Sequence, residues 1–335
     1  MAERTLKRAG ITGLGMSFPE KVLSNADLET MVDTNDAWIV ERTGIRERRI
    51  VEPGTPASHH GALAAVEALS HAGLDAADVD LILVPTVTPD MTFPATACVI
   101  QKLIGADNAW GYDIEAACSG FIYALETARA YVESGLRRNV LVIGSEIMSS
   151  ITDYEDRNTC ILFGDGAGAV VVQPVDPADG GIIDAVNHMD GVGVQHLHQK
   201  AGGSAMPPTA ETVANKLHYI YQEGRDVYKF AVRGMAKVAL DVVERNGMAG
   251  PDVNLLVPHQ ANIRIIEAVQ RRLGLTDDQM AITIDRFGNT TSASIPSALK
   301  VACDEGRVKR GDHVVLVSFG AGFTWGASLI RWCID

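Results

Sequence analysis

Residues 110–146 read WGYDIEAACSGFIYALETARAYVESGLRRNVLVIGSE, and how they group decides the fold. A short run, WGYDI, gives way to small residues and then to a segment in which Phe121, Ala124, Leu125, Ala128 and Val132 recur at helical spacing. That segment closes on a glycine and leads into VLVIGSE, a run apolar enough to be buried on both faces of a sheet. Strand, turn, helix and strand in this order make an α/β chain. Upstream, DLILVPTV (80–87) and a helix around ACVIQKLIG extend the alternation.

The series recurs toward the C-terminus as NLLVPHQAN, a helix ending VQRRLG, AITIDRFGNTTSAS, the helix IPSALKVACDEG and the strand VVLVSFG. Leu125 and Leu299, like Val140 and Val314, stand 174 positions apart. Five elements kept in order are the signature of a duplication. The loop QPVDPADGG (173–181) is the natural seam, giving halves 1–174, with the cysteine of AACSG, and 175–335, with His259 and Asn289. Two such halves bury their sheets by packing helices together, which predicts a layered α/β/α/β/α body. Between 190 and 225 the pattern degrades into GVGVQHLHQKAGGSAMPPTAET, which reads as an insertion rather than an element.

Across 335 residues, 29 Lys and Arg face 42 Asp and Glu, a formal net charge of −13, and 47% of residues are hydrophobic. This is the composition of a globular chain, and its acidity disfavours nonspecific binding to nucleic acid or anionic membrane. No apolar run approaches the roughly 18 residues that span a bilayer, and the start, MAERTLKRAG, leads into no signal peptide, so the cytoplasm is expected. Five cysteines without a C-x-x-C pattern read as free thiols.

Cys118 lies between a strand and a helix, where unpaired backbone N–H groups and the helix dipole favour thiolate, so a nucleophile charged at neutral pH is expected. The alternative, a buried structural thiol, is the reading for Cys98, Cys160, Cys303 and Cys333. Equivalent strand ends of a duplicated fold converge, which brings two further candidates to Cys118. His259 follows the strand NLLVP, and Asn289, in FGNTTSAS, takes nearly the place in the second copy that Cys118 has in the first. Gly320, Ala321 and Gly322 leave backbone amides uncovered and suit an oxyanion hole, with a plain glycine turn as the alternative. GDGAG (164–168) lacks the Lys and Ser/Thr of a phosphate loop and reads as close backbone packing. His196 and His198 form an H-x-H without acidic or thiol ligands at suitable spacing, so no metal is expected there.

Together AACSGFIYAL, VPHQAN, FGNTTSAS, FGDGAGA, NDAWIVERTGIRER and FGAGFTWG resemble the β-ketoacyl-acyl-carrier-protein synthase III family of bacterial fatty acid synthesis, over nearly the whole chain. The resemblance implies a duplicated thiolase-like fold and a homodimeric acyltransferase without metal or organic cofactor. Its reaction joins a short acyl-coenzyme A primer to malonyl-acyl-carrier protein with loss of carbon dioxide. By the same resemblance Cys118 is the acyl-carrying nucleophile, the N–H groups of Cys118 and Ala321 form the oxyanion hole, and His259 and Asn289 donate hydrogen bonds to the malonyl thioester. Trp38 and Arg157 are assigned to the adenine of coenzyme A, Arg42 to its phosphates, and Thr34, Gly224 and Asn262 to the entrance and pantetheine arm. Phe93 is assigned to the partner's acyl pocket, and Lys229, Gln260 and Arg264 to carrier-protein docking. A helix-end thiolate further implies that Cys118 is still acylated when His259 is replaced by Ala. The rival readings are a starter acyltransferase or a quinolone- or polyketide-type synthase on this fold, and a noncatalytic member that binds acyl-coenzyme A or carrier protein.

Overall fold

The computed structural model describes residues 7–335. Its first sheet joins β1 (Arg8–Ser17), β2 (Leu81–Pro85), β3 (Trp110–Ile114), β4 (Val140–Ile147) and β5 (Asp165–Val175), in the order β1-β5-β4-β2-β3. The second joins β6 (Gly181–Met189), β7 (Leu255–Pro258), β8 (His313–Gly320) and β9 (Thr324–Arg331), in the order β6-β9-β8-β7. Strands β2 and β3, and β7 and β8, pair in parallel, whereas β5 and β9 run antiparallel to their neighbours. The chain passes from one sheet to the other at 176–180, within the expected seam, while the boundary after residue 174 falls just inside β5.

Alternation along the strands explains the layers, because successive side chains point to opposite faces. Leu81, Leu83, Val140 and Val142 face inward with Leu255, Val257, Val314 and Leu316, and between them lie α3 (Gly120–Glu133) and α6 (Ser294–Asp304). The intervening Ile82, Val84, Leu141 and Ile143 face outward onto α1 (Ala57–Ala72) and α2 (Thr96–Ile104). On the other outer face, Leu256, Val315 and Val317 meet α4 (Gly224–Glu244) and α5 (Ile263–Leu273). The five layers α/β/α/β/α are those expected.

The two halves differ where the sequence suggested a match. The counterpart of β3 shrinks to one bridge between Leu256 and Met280, and the chain then coils as a short helix, Ile284–Phe287. Phe287 stacks on Phe18 with ring centroids 3.9 Å apart, so this stretch serves the other half instead of extending its own sheet. Residues 190–225 also depart from expectation: Leu197–Gln199 and Ile220–Gln222 pair antiparallel, with a short capped helix at Ala210–Ala214. The glycines of GDGAG mark close approaches as expected, since a Cβ on Gly164 would lie 2.4 Å from the Phe287 carbonyl and one on Gly168 2.7 Å from the Ser297 amide.

Candidate active site

After β3 the chain makes a tight 3₁₀ turn, Ala117–Ser119, and enters α3 at Gly120. Ala117 adopts φ 47°, a left-handed conformation that costs a non-glycine residue about 1–3 kcal/mol and persists only where the surroundings enforce it. Two side chains of the second sheet and one of the turn itself do so. Ser318 Oγ donates to the Cys118 carbonyl at 2.7 Å, Thr324 Oγ1 to the Ala116 carbonyl at 2.9 Å, and Ser119 Oγ donates to the Thr324 carbonyl at 3.0 Å.

The second half repeats this elbow at Thr291–Ala293, with Thr291 at φ 46° and α6 starting at Ser294. Ala117 and Thr291, and Gly120 and Ser294, are again 174 apart, so the counterpart of Cys118 is Ser292 and not Asn289, which matches Glu115. Asn289 nevertheless reaches the site. Its amide N–H donates to Leu162 at 2.9 Å, and its Oδ1 accepts from the Thr291 amide at 2.9 Å. That bond fixes the side-chain amide and leaves Nδ2 without a partner among the described residues, as a free donor.

His259 follows β7 and is 1% exposed. Its Nδ1 lies 2.7 Å from Ser294 Oγ, which also reaches the Thr291 carbonyl at 2.8 Å. A serine hydroxyl has one proton. Given to Thr291, it leaves Nδ1 to donate and Nε2 bare; given to Nδ1, it leaves Nε2 protonated. The ring is thus fixed while Nε2 can serve as base or donor, and burial pushes the imidazole pKa down to about 3, keeping it neutral.

Cys118 differs from expectation. Burial is the largest cause of a thiol pushed up to about 12, opposite to the lowering expected of a helix end, and a negative charge on Glu146 would act in the same direction. The helix end is two residues away and cannot offset removal of the sulfur from water. His259, neutral and with Nε2 free, lines the same cavity as the sulfur. Gly320 packs against this turn so closely that a Cβ there would lie 2.7 Å from the Cys118 amide nitrogen. The amides of Cys118 and Ala321 donate to no other described residue, which suits an oxyanion hole.

Cys118, His259, Asn289 and Ala321 line one cavity of about 1330 Å³, together with Trp38, Arg42, Gly224, Lys229, Asn262 and Arg264. That exceeds the roughly 300–1,000 Å³ of pockets for drug-sized ligands and suits a longer one. Thr34, Arg157, Phe93 and Gln260 do not line it. Arg157 sits over the Trp38 ring at 4.8 Å and pairs with Asp33 at 3.6 Å, while Arg42 lies 5.5 Å from the same ring. A purine between two flat groups needs two contact spacings, about 7 Å, so Arg157 must swing aside to admit one. Asn262 caps α5 through the Arg264 amide at 2.9 Å and ties the Trp38 helix, Asp36–Thr43, through the Arg42 carbonyl at 2.8 Å.

Gln260 is no docking residue. It is 1% exposed, its Oε1 accepts from the Thr283 and Ile284 amides, and its Nε2 donates to the Pro258 and Ala281 carbonyls. Its amide joins the loop after β7 to residues 281–284. Lys229 and Arg264 are exposed at the cavity mouth, Lys229 paired with Asp226 at 2.9 Å and Arg264 5.6 Å from the Tyr228 ring. Around His196 the structure supplies the carboxylates that the sequence spacing lacks, since Glu223 and Asp226 come within 4.8 Å of it and of each other. His198 turns away to the Val194 carbonyl at 3.0 Å. Residues 190–225 contribute Val194, Leu197, Ile220 and Gln222 to the cavity wall.

Models of 3-oxoacyl-[acyl-carrier-protein] synthase III match residues 112–191 and, as its C-terminal part, 243–332. A β-ketoacyl-[acyl-carrier-protein] synthase III of Koribacter versatilis is 49% identical over 98% of this chain and 99% of its own. The chain belongs to the β-ketoacyl-acyl-carrier-protein synthase III family. The corresponding enzyme of Caldanaerobacter subterraneus is 51% identical over 97% of this chain and 98% of its own. The crystal structure of 3-oxoacyl-[acyl-carrier-protein] synthase III from Aquifex aeolicus superposes with a TM-score of 0.90 at 43% identity, covering 97% of this chain and 100% of that one. The layered body is therefore the thiolase-like fold, and the chain is an acyltransferase of the condensing kind. Among the described residues no helix is long and apolar enough to cross a membrane.

Proposed function

We propose that Cys118 takes an acyl group from a short acyl-coenzyme A and passes it to the carbanion released by decarboxylation of malonyl-acyl-carrier protein. The reaction is the condensation that initiates fatty acid synthesis. What carries the residue assignment is the facing pair of strained elbows, one presenting Cys118 and the other Asn289, with His259 fixed by Ser294 at one cavity.

In the first half-reaction the Cys118 sulfur attacks the thioester carbonyl as its proton moves to Nε2 of His259. The oxyanion is held by the amides of Cys118 and Ala321. Its collapse expels the coenzyme A thiolate, which recovers the proton from His259. In the second, the malonyl thioester loses carbon dioxide and the electron pair moves onto the thioester oxygen, held by Nδ2–H of Asn289 and Nε2–H of His259. The enolate carbon attacks acyl-Cys118, the thiolate leaves, and a proton from solvent restores the thiol. Donors of this kind are typically worth about 100- to 1000-fold each when removed.

Trp38, Arg42 and, once displaced, Arg157 receive the nucleotide, with Gly224 and Asn262 along the arm. Thr34, assigned to the entrance, lies just before the Trp38 helix with a buried Oγ1 that has no hydrogen-bond partner among the described residues. Lys229 and Arg264 form a local positive rim on an acidic chain, which suits an acidic carrier protein. Phe93 is 83% exposed, as a side chain reaching into a second copy's pocket would be, which supports a homodimer. We place its work in the cytoplasm, without a metal or organic cofactor. The test is to follow coenzyme A release and malonyl decarboxylation separately in His259→Ala. With His259 Nε2 taking the thiol proton in the first half-reaction and donating in the second, we expect both to fall by about 100-fold or more. Undiminished acylation would overturn the role given to His259 in the first half-reaction.

A further inference from the structure

Beneath the two elbows lies a carboxyl group that the reaction above does not use. Glu146, at the end of β4, is 0% exposed, and no described cation pairs with it. Its Oε2 accepts from Thr86 Oγ1 at 3.2 Å, Thr88 Oγ1 at 2.8 Å and the Val87 amide at 3.1 Å. The two threonine hydroxyls themselves accept from the Thr88 and Ile147 amides, at 3.1 and 2.8 Å, which directs their protons onto the carboxyl. Three donors use up the acceptor capacity of Oε2.

Oε1 lies 2.8 Å from Ser292 Oγ, which is also 2.8 Å from the Pro85 carbonyl. Two short oxygen–oxygen contacts need two protons. Ser292 has one and the carbonyl has none, so the second is supplied by Glu146 from Oε1; the Thr291 hydroxyl, also beside this carboxyl, has no partner at hydrogen-bonding geometry. The chain then runs from Glu146 Oε1–H to Ser292 Oγ and from Ser292 Oγ–H to Pro85. Burial acts in the same direction, raising the carboxyl above its usual range.

Pro85 and residues 86–88 follow β2, and a Cβ on Gly120, at the start of α3, would lie 2.9 Å from Pro85 Cβ and 3.8 Å from Ser292 Cβ. Ser292 is the counterpart of Cys118, its neighbour Thr291 holds the Asn289 amide, and Ser294 two residues on holds His259. A Cβ on Gly144 would lie 2.4 Å from the Ser292 carbonyl, so β4 and the second elbow are already in contact. We propose that Glu146 is a positioning residue held as the neutral acid, whose one proton clamps the second elbow to the loop beneath Cys118 without placing a negative charge under the nucleophile. A carboxylate there would oppose each anion of the cycle, the thiolate, the oxyanion and the enolate. The titratable group facing the node is Cys118, whose thiol would be pushed up by a negative charge on Glu146.

The acid places a specific demand on its replacement. A glutamine can accept the three donors with its oxygen and donate from nitrogen to Ser292, whereas alanine does neither. We expect Glu146→Ala to lower Cys118 acylation on the order of 100-fold, through misplacement of the reacting groups, and Glu146→Gln to restore most of it. Infrared difference spectra of wild type against Glu146→Gln, with isotope-labelled glutamate, should show a protonated-carboxyl stretch that persists across roughly pH 6–9. The pH profile of Cys118 alkylation should have the same midpoint in both. A missing band, a band lost within that range, or a midpoint lowered in Glu146→Gln would each overturn the proposal. Only the acylation readout rests on Cys118 being the acyl carrier. The band and the alkylation midpoint report on Glu146 even if that reading fails.

Discussion

Gly320→Ala isolates the oxyanion hole from the rest of the site. The new Cβ would lie 2.7 Å from the Cys118 nitrogen and 3.1 Å from both its Cβ and the Ser119 nitrogen, where ordinary contact begins at 3.4 Å. One side must give by about 0.7 Å. The turn cannot yield freely, since its carbonyls are tied to Ser318 and Thr324, and β8 is paired on both edges. Overpacking of this size costs about 1–3 kcal/mol of stability. The Cys118 amide, displaced from the developing oxyanion by more than half an ångström, should cost acylation on the order of 100-fold. Asn289 and His259 are left in place, so decarboxylation of malonyl-acyl-carrier protein without primer should fall far less. Single-turnover coenzyme A release and carbon dioxide release, measured on the same folded sample, separate the two. Equal losses in both steps, or none in acylation, would refute the placement of the hole.

Three further outcomes follow from the geometry. His259 stays neutral in the folded chain down to about 3, whereas in the unfolded chain it takes up a proton near its ordinary pKa of 6.5. The unfolded state then binds more protons, so stability present above 6.5 is lost as pH falls. Between pH 7.5 and 5, wild type should lose about 2 kcal/mol more than His259→Asn in urea melts. Trp38→Ala removes the ring that Arg157 and Arg42 cover, and should raise KM for acyl-coenzyme A roughly 5- to 100-fold while leaving an acyl-pantetheine without the nucleotide unaffected. Lys229→Glu combined with Arg264→Glu should raise KM for malonyl-acyl-carrier protein, more at low salt, and leave malonyl-coenzyme A unchanged.

The parts of the site that could be read in advance are those whose chemistry is local. Small residues between an apolar strand and an amphipathic helix announced the Cys118 elbow, and double-faced apolar runs announced sheets buried between helices. What escaped was set by distant neighbours. The upward push on the Cys118 thiol comes chiefly from burial by segments far away in the chain, which nothing in AACSG reports. Gln260 follows the histidine and looks like a polar rim residue, but four backbone groups from 258–284 consume its amide. Asn289 was placed near the counterpart of Cys118, although the 174-residue spacing points to Ser292; a matching left-handed residue before each was the missing signal. The lost counterpart of β3 had no local cue, since AITI carries three β-branched residues as a strand would. Ser294 and Glu146 gave no sign, because a serine at a helix start and an acid at a strand end are ordinary until their partners are known.

The most direct test of the account is the mass added to the intact protein by a mixture of acetyl-, isobutyryl- and octanoyl-coenzyme A, followed by peptide mapping. One acyl group should appear per chain, on Cys118, discharged by malonyl-acyl-carrier protein and absent in Cys118→Ala. An adduct on Cys98, Cys160, Cys303 or Cys333 instead, or condensation that proceeds in Cys118→Ala, would contradict it.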